Sequence, residues 1–148
     1  MTSKSELASK YFAEGFNCAQ SVFAAHAGSF GVLEEDALRI ASGFGAGMGR
    51  LQEVCGAVSG ACMVIGCRHG MVRRGDTDAK ERTYSLVQQF SHRFRELEGS
   101  IVCAEILGCN LNTEEGRKEF KDRDLGNKVC ARCVRDASKI VEEMLELK

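Results

Sequence analysis

Apolar residues recur along this chain at one-turn spacing, and strand-like alternation is nearly absent, so the pattern predicts helices. Ser5 to Gly15 carries Leu7, Ala8, Tyr11 and Phe12 as an apolar stripe. Asn17 is a good N-cap for a second helix, which runs through Val22, Phe23 and Ala27 to Gly28. Glu34, Glu35 and Asp36 put acid at a third start, followed by Ala37, Leu38, Ile40 and Ala41. Regular structure is then expected to break between Ser42 and Arg50, where Gly43, Gly45, Gly47 and Gly49 alternate with other residues. A buried helix follows from about Glu53 to Cys67.

Asp76 or Thr77 is placed to cap the longest helix, with Tyr84, Val87, Phe90, Phe94 and Leu97 on one face. Arg73, Arg74, Lys80, Arg82, Arg93 and Arg95 fall on or near its polar side, interspersed with acids, and read as a solvated face. Gly99-Ser100 opens a short helix with Ile101, Val102, Ile106 and Leu107, ended by Gly108. Glu114 to Asp124 is mostly charged and reads as a short exposed helix or a loop. The last helix spans about Asn127 to Leu147, with Val129, Val134, Ala137, Val141, Met144 and Leu145 inward. Absent proline suits long uninterrupted helices. The expectation is an all-α, single-domain helical bundle over residues 1–148, with about six to seven helices and a Gly-rich loop between helices.

Charge and composition narrow the function classes. The 20 Lys and Arg balance 21 Asp and Glu, which lacks the basic footprint of a nucleic-acid binder. The most apolar stretch, Val54 to Cys67, is too short to span a bilayer and is interrupted by Gly and Ser, so membrane insertion is not expected. The opening Met1-Thr2-Ser3-Lys4-Ser5-Glu6 has no apolar secretory segment, which leads to the expectation of a cytoplasmic protein. Eight cysteines are too sparse for a disulfide scaffold, which takes roughly 8–10% of a short secreted chain. In a reducing compartment such thiols serve more often as metal ligands or redox groups than as structural bridges.

Cys18, Cys55, Cys103 and Cys130 each fall in the first turn or so of a predicted helix. The positive end of the helix dipole and its free N–H groups favour a thiolate there, and the thiolate is both nucleophile and metal ligand. The bland alternative is a small buried hydrophobe. Cys130-Ala131-Arg132-Cys133 is a single C-x-x-C, whose sulfurs share one helix face as a redox pair or half a metal site. No second pair completes a zinc ribbon, Val134 excludes a C-x-x-C-H haem attachment site, and neither ferredoxin spacing is present.

The glycine run has the spacing G-x-G-x-G-x-G after a helix, not a dinucleotide fingerprint after a strand. Gly45, Gly47 and Gly49 are expected either to tuck the loop against the thiols, to present N–H groups to an anion, or simply to connect two helices tightly. Gly56 and Gly60 form a ridge in the buried helix, for close packing on another helix, on a second subunit, or for close ligand approach at Gly56. His26, His69 and His92 are scattered, and no paired-carboxylate motif, nucleophile elbow or P-loop occurs.

Three segments together carry a resemblance: Asn17-Cys18-Ala19-Gln20-Ser21-Val22, the run Ala41 to Gly49, and Cys55-Gly56-Ala57-Val58-Ser59-Gly60. They resemble the signatures of the redox-active proteins named for the pattern C_GCAxxG_C_C. Across nearly the whole chain, the pattern's third cysteine corresponds to Cys103 in Ser100 to Gly108 and its fourth to Cys130, with Cys133 close by. The resemblance implies a small helical protein using four cysteines in redox chemistry, with no generally assigned substrate. A related domain occurs in split-Soret cytochromes, whose haem-attachment motif this chain lacks. Cys62, Cys67, Cys109 and Cys133 are additional to the pattern.

Three readings follow. Cys18, Cys55, Cys103 and Cys130 converge from helix starts under the Gly loop and cycle between dithiol and disulfide with an unknown redox partner and no cofactor. Alternatively the same sulfurs, with Cys133 as a further candidate, hold an iron–sulfur cluster or zinc. The third reading is a helical interaction module with inert thiols, homodimeric through the Gly56–Gly60 ridge.

Overall fold

The computed structural model describes residues 3–146, and every segment with helical periodicity forms a helix. These are α1 (Lys4–Ala13), α2 (Cys18–Ala27), α3 (Glu34–Ala41), α4 (Gly56–His69), α5 (Thr77–Glu98), α6 (Cys103–Leu107), α7 (Glu114–Asp122) and α8 (Ala131–Met144). The architecture is all-α; there is no strand among the described residues. The eight helices among the described residues exceed the six to seven expected because the charged segment Glu114–Asp122, read as a short helix or a loop, forms a helix of its own.

α2 is the centre. It packs on α1, α3, α4 and α8, and it buries Ala19 and every residue from Ser21 to Ala27. A helix apolar on all sides belongs inside a domain, and its alanines let neighbours approach closely. Asn17 caps it with a full capping box: its side chain accepts from Gln20 N–H, and the Gln20 side chain accepts from Asn17 N–H. The Asn17 amide also donates to Ser42 O at 3.0 Å, and the Gln20 amide to Leu38 O at 3.0 Å. These bonds tie the start of α2 to α3 and the glycine loop.

The Gly56–Gly60 ridge meets α2 of the same chain. A Cβ at Gly60 would stand 2.8 Å from Ala19 O, and one at Gly56 would stand 3.0 Å from Ala19 N. The ridge is therefore covered, and homodimerisation through it is corrected: α2 already fills that surface.

α8 turns Val134, Ala137, Ile140 and Val141 into the core, each large aliphatic contributing about 1.5–3 kcal/mol by burial. Leu145 is also buried and Met144 half-buried; the expected end at Leu147 lies outside the described residues. On its apolar face α5 fully buries only Phe90 and Phe94, stacked with ring centroids 6.0 Å apart. Tyr84 and Leu97, expected on the same inner face, are 55% and 62% exposed. The 22 residues of α5 are covered by neighbouring helices over only part of their apolar face, so periodicity overstates its buried stretch.

The buried helix begins at Gly56, later than the expected Glu53, because residues 52–55 run antiparallel to residues 101–104. Cys55 N–H donates to Ile101 O at 2.7 Å, Cys103 N–H to Glu53 O at 2.6 Å and Ala104 N–H to Gln52 O at 3.1 Å. This isolated bridge, centred on Val54 and Val102, sets two cysteine-bearing helix starts side by side. No described helix is long and apolar enough to cross a membrane.

A cysteine-lined cavity as the candidate site

The glycine loop is a left-handed turn. Ala46, Gly47, Met48, Gly49 and Arg50 all have positive φ, between 54° and 74°, and Gln52 has φ 56°. A non-glycine residue pays roughly 1–2 kcal/mol to enter this region, so the turn is held by its surroundings. Glu53 N–H donates to Gly47 O at 2.9 Å. The buried Gln52 side chain accepts from Leu111 N–H at 2.8 Å and donates to Cys109 O at 2.9 Å. The loop therefore lies against the segment that follows α6, and it brings Ala46 and Gly47 to the wall of a cavity.

That cavity is about 160 Å³ and is lined by Cys18, Cys55, Cys103, Cys130 and Cys133. Gly47 and Gly56 complete the thiol side, while Phe12, Ile106, Leu107, Leu111, Phe120 and Val129 supply apolar walls. Of the glycine candidates, Gly45 packs on the Asn17 side chain and Gly49 meets nothing closer than Gly43 O at 3.9 Å; neither is part of the lining. Cys62, Cys67 and Cys109 also lie outside the lining.

Cys18 is the first residue of α2, Cys55 caps α4 and Cys103 is the first residue of α6, as the helix-start expectation requires. Cys130 departs from it. It is the last residue of a π turn, Gly126–Cys130, that runs into α8 without a free helix start. Its local environment rests on other thiols rather than on a dipole. Wide turns of this kind are frequent at functional sites because they re-aim a side chain within a continuous helix.

The sulfurs pair across the cavity and not within the C-x-x-C. Cys18 lies beside Cys130 and Cys55 beside Cys133, near enough that each thiol acts on its neighbour's ionisation. In each pair one thiol is favoured as the anion and the other as the donor. The Cys133 thiol holds Cys55 below the usual cysteine range against the opposing effect of burial, helped by the Ala57 and Val58 N–H groups. Cys133 is correspondingly driven far up by its bond to Cys55 and by burial. Cys130 is lowered by the Cys18 thiol, and Cys18 is raised by that bond and by its burial. Cys103 has no such partner, and burial pushes it up to about 12.

Behind Cys133 lies a charge cluster. Glu98, the last residue of α5, has a fully buried side chain whose Oε2 is bonded to Arg132 at 2.7 and 2.9 Å, while its Oε1 has no hydrogen-bond partner. The Cys133 thiol and Asp136 lie near the same carboxylate. Burial raises Glu98, but Arg132, with Asp136 and Cys133 nearby, outweighs it and holds the carboxylate low. Asp136 is raised by burial and by Glu98. The Glu98 charge opposes ionisation of both Cys55 and Cys133. Glu98→Gln is therefore expected to lower the apparent pKa of the Cys55–Cys133 pair, read as ultraviolet thiolate absorbance against pH. An unchanged or raised titration would show that Glu98 does not act on these sulfurs. The signal that could have found it is an acidic residue at a helix C-terminus, where the dipole disfavours one.

No group of three or more His, Cys, Asp or Glu side chains among the described residues is disposed to hold a metal ion. His26 is wholly buried on Ser138, while His69 and His92 are outside the cavity lining. No curated protein and no solved structure matches the chain. The pattern of the family described as "Putative redox-active protein (C_GCAxxG_C_C)" matches residues 16–144, which include all five cavity cysteines. The chain thus belongs to the C_GCAxxG_C_C family of redox-active proteins.

Proposed function

We propose that this protein carries out thiol–disulfide exchange, with Cys55 and Cys133 as the working dithiol and Cys18 and Cys130 as a second pair. The observation that carries this reading is the convergence of Cys18, Cys55, Cys103, Cys130 and Cys133 on the wall of one small cavity. A thiolate is the attacking species and its neighbour the resolving one. In the oxidative direction the Cys55 thiolate attacks one sulfur of a disulfide substrate and expels the other as a thiolate. Cys133 then loses its proton to water and attacks the Cys55 sulfur. The intramolecular disulfide forms, the second substrate thiolate leaves, and two electrons have passed to the substrate. Cys103 keeps its proton and lines the wall. A reducing, cytoplasmic setting suits so many free thiols.

Equilibration of the protein in graded thiol–disulfide buffers, followed by residue-resolved mass spectrometry, tests the reading. The expected result is reversible two-electron formation of Cys55–Cys133 and Cys18–Cys130 bonds. A Cys130–Cys133 bond, or cysteines that stay reduced throughout, would overturn it. So would near-stoichiometric iron or zinc on protein purified without oxygen, which would make the same sulfurs ligands of a metal centre.

A further inference from the structure

Cys55, Cys103 and Cys133 are 7%, 7% and 1% exposed, so the proposed attacking sulfur stands in the wall of the cavity and not on the surface. Cys18 and Cys130 are half-buried. The volume of about 160 Å³ is well below the roughly 300–1,000 Å³ of pockets that hold drug-sized ligands. It is close to that of a dry cavity that admits a benzene-sized molecule, about 150 Å³.

The lining contains no lysine, arginine, aspartate or glutamate, and Asn17 is its only polar side chain other than cysteine. Both ends of Asn17 are spent: Oδ1 accepts from Gln20 N–H at 2.9 Å and Nδ2 donates to Ser42 O at 3.0 Å. A charged group entering this space would lose its water and find no counter-charge on the walls beyond the reacting thiolates themselves, and no side-chain hydrogen-bond partner beyond the thiols. An anion would also meet like charge on the thiolates. The nearest carboxylate, Glu98, lies behind Cys133 and is already engaged by Arg132.

From this enclosure and lining we propose that the substrate reaching Cys55 is a small, uncharged, largely apolar molecule, and that charged low-molecular-weight thiols and disulfides and folded protein surfaces are kept from it. This inference rests on Cys55 being the attacking sulfur.

The test uses the reduced native protein and three methanethiosulfonates that transfer an ethyl, a 2-sulfonatoethyl or a 2-(trimethylammonio)ethyl thio group. Each places its RS group on the cysteine as a mixed disulfide and releases methanesulfinate. Rates at each cysteine are followed by mass spectrometry and divided by the rate of the same reagent with a free small thiol. Exposed Cys67 is the internal reference. At Cys55 the ethyl reagent is expected to be at least about tenfold faster than either charged one, the effect of desolvating a charge. At Cys67 the three corrected rates should agree within about threefold, as unhindered solvation allows. A charged reagent matching the ethyl reagent at Cys55 overturns the proposal. So does a Cys55 that no reagent reaches while Cys67 reacts. Neither result depends on which disulfides form at equilibrium, so the exchange reading stands or falls separately in the buffer titration.

Discussion

Gly47→Ala is expected to lower stability by about 3 kcal/mol and Tm by roughly 10 °C, the sum of a left-handed backbone penalty and an unrelieved clash. Gly47 has φ 66°, and an added Cβ would stand 2.6 Å from both Gln52 Cα and Glu53 N. Those are backbone atoms of the segment that anchors Cys55, so they cannot rotate away as a side-chain tip could. Gly49→Ala supplies the control. It carries the same kind of penalty at φ 58°, but its Cβ would meet nothing nearer than 3.9 Å. Its cost should stay near the backbone term, about 1–2 kcal/mol. Thermal and urea unfolding of both variants check the pair. Equal losses at the two positions would mean that the loop does not press on residues 52–53. Because Gly47 also lines the cavity, the first variant should alter the reactivity of Cys55 in whatever fraction remains folded.

Acidification is expected to remove about 3 kcal/mol of stability through His26 alone. This histidine is wholly buried, with Nε2 bonded to Ser138 Oγ at 2.9 Å and Nδ1 without a hydrogen-bond partner. Burial, with a smaller effect from Lys4, pulls its pKa down from 6.5 to about 4. Above pH 6.5 the ring is neutral in both folded and unfolded chains and contributes no pH dependence. Between about 6.5 and 4 the unfolded chain takes up a proton that the folded chain refuses, so stability falls with falling pH. Below about 4 both states are protonated and the loss is complete. Other groups titrate in the same range, so the comparison is with His26→Gln, which keeps a partner for Ser138 and cannot ionise. Urea unfolding at pH 7 and at pH 4.5 should show the wild type losing about 2–3 kcal/mol more than the variant. Parallel losses would mean that His26 is already solvated in the folded state.

The helices were readable because burial leaves a local trace. The apolar spacing of α2 and α8, the Asn17 and Asp76 caps and the acidic start of α3 each lie within a few consecutive residues. The same locality explains the errors. The inner face of α5 looked longer than it is because periodicity does not record how far the neighbouring helices extend. The Val54–Val102 pairing joins segments far apart in the chain, and it delayed the start of α4.

At the site, the sequence by itself determined that Cys18, Cys55 and Cys103 stand at or near helix starts, but it put Cys130 there too, where the π turn runs on into α8. It also determined that a glycine-permissive turn precedes Cys55. Only the tertiary structure decided that Cys133 joins those sulfurs on the cavity wall, beside Cys55. The C-x-x-C spacing places Cys130 and Cys133 near one another along a helix, but the π turn and the crossing of α8 over α2 and α4 aim them at different partners. Glu98 likewise reaches Cys133 only because the end of α5 packs beside α8. Sulfur pairing and charge coupling are through-space quantities that fall off within a few ångströms, and nothing in the spacing of residues along a chain records such distances.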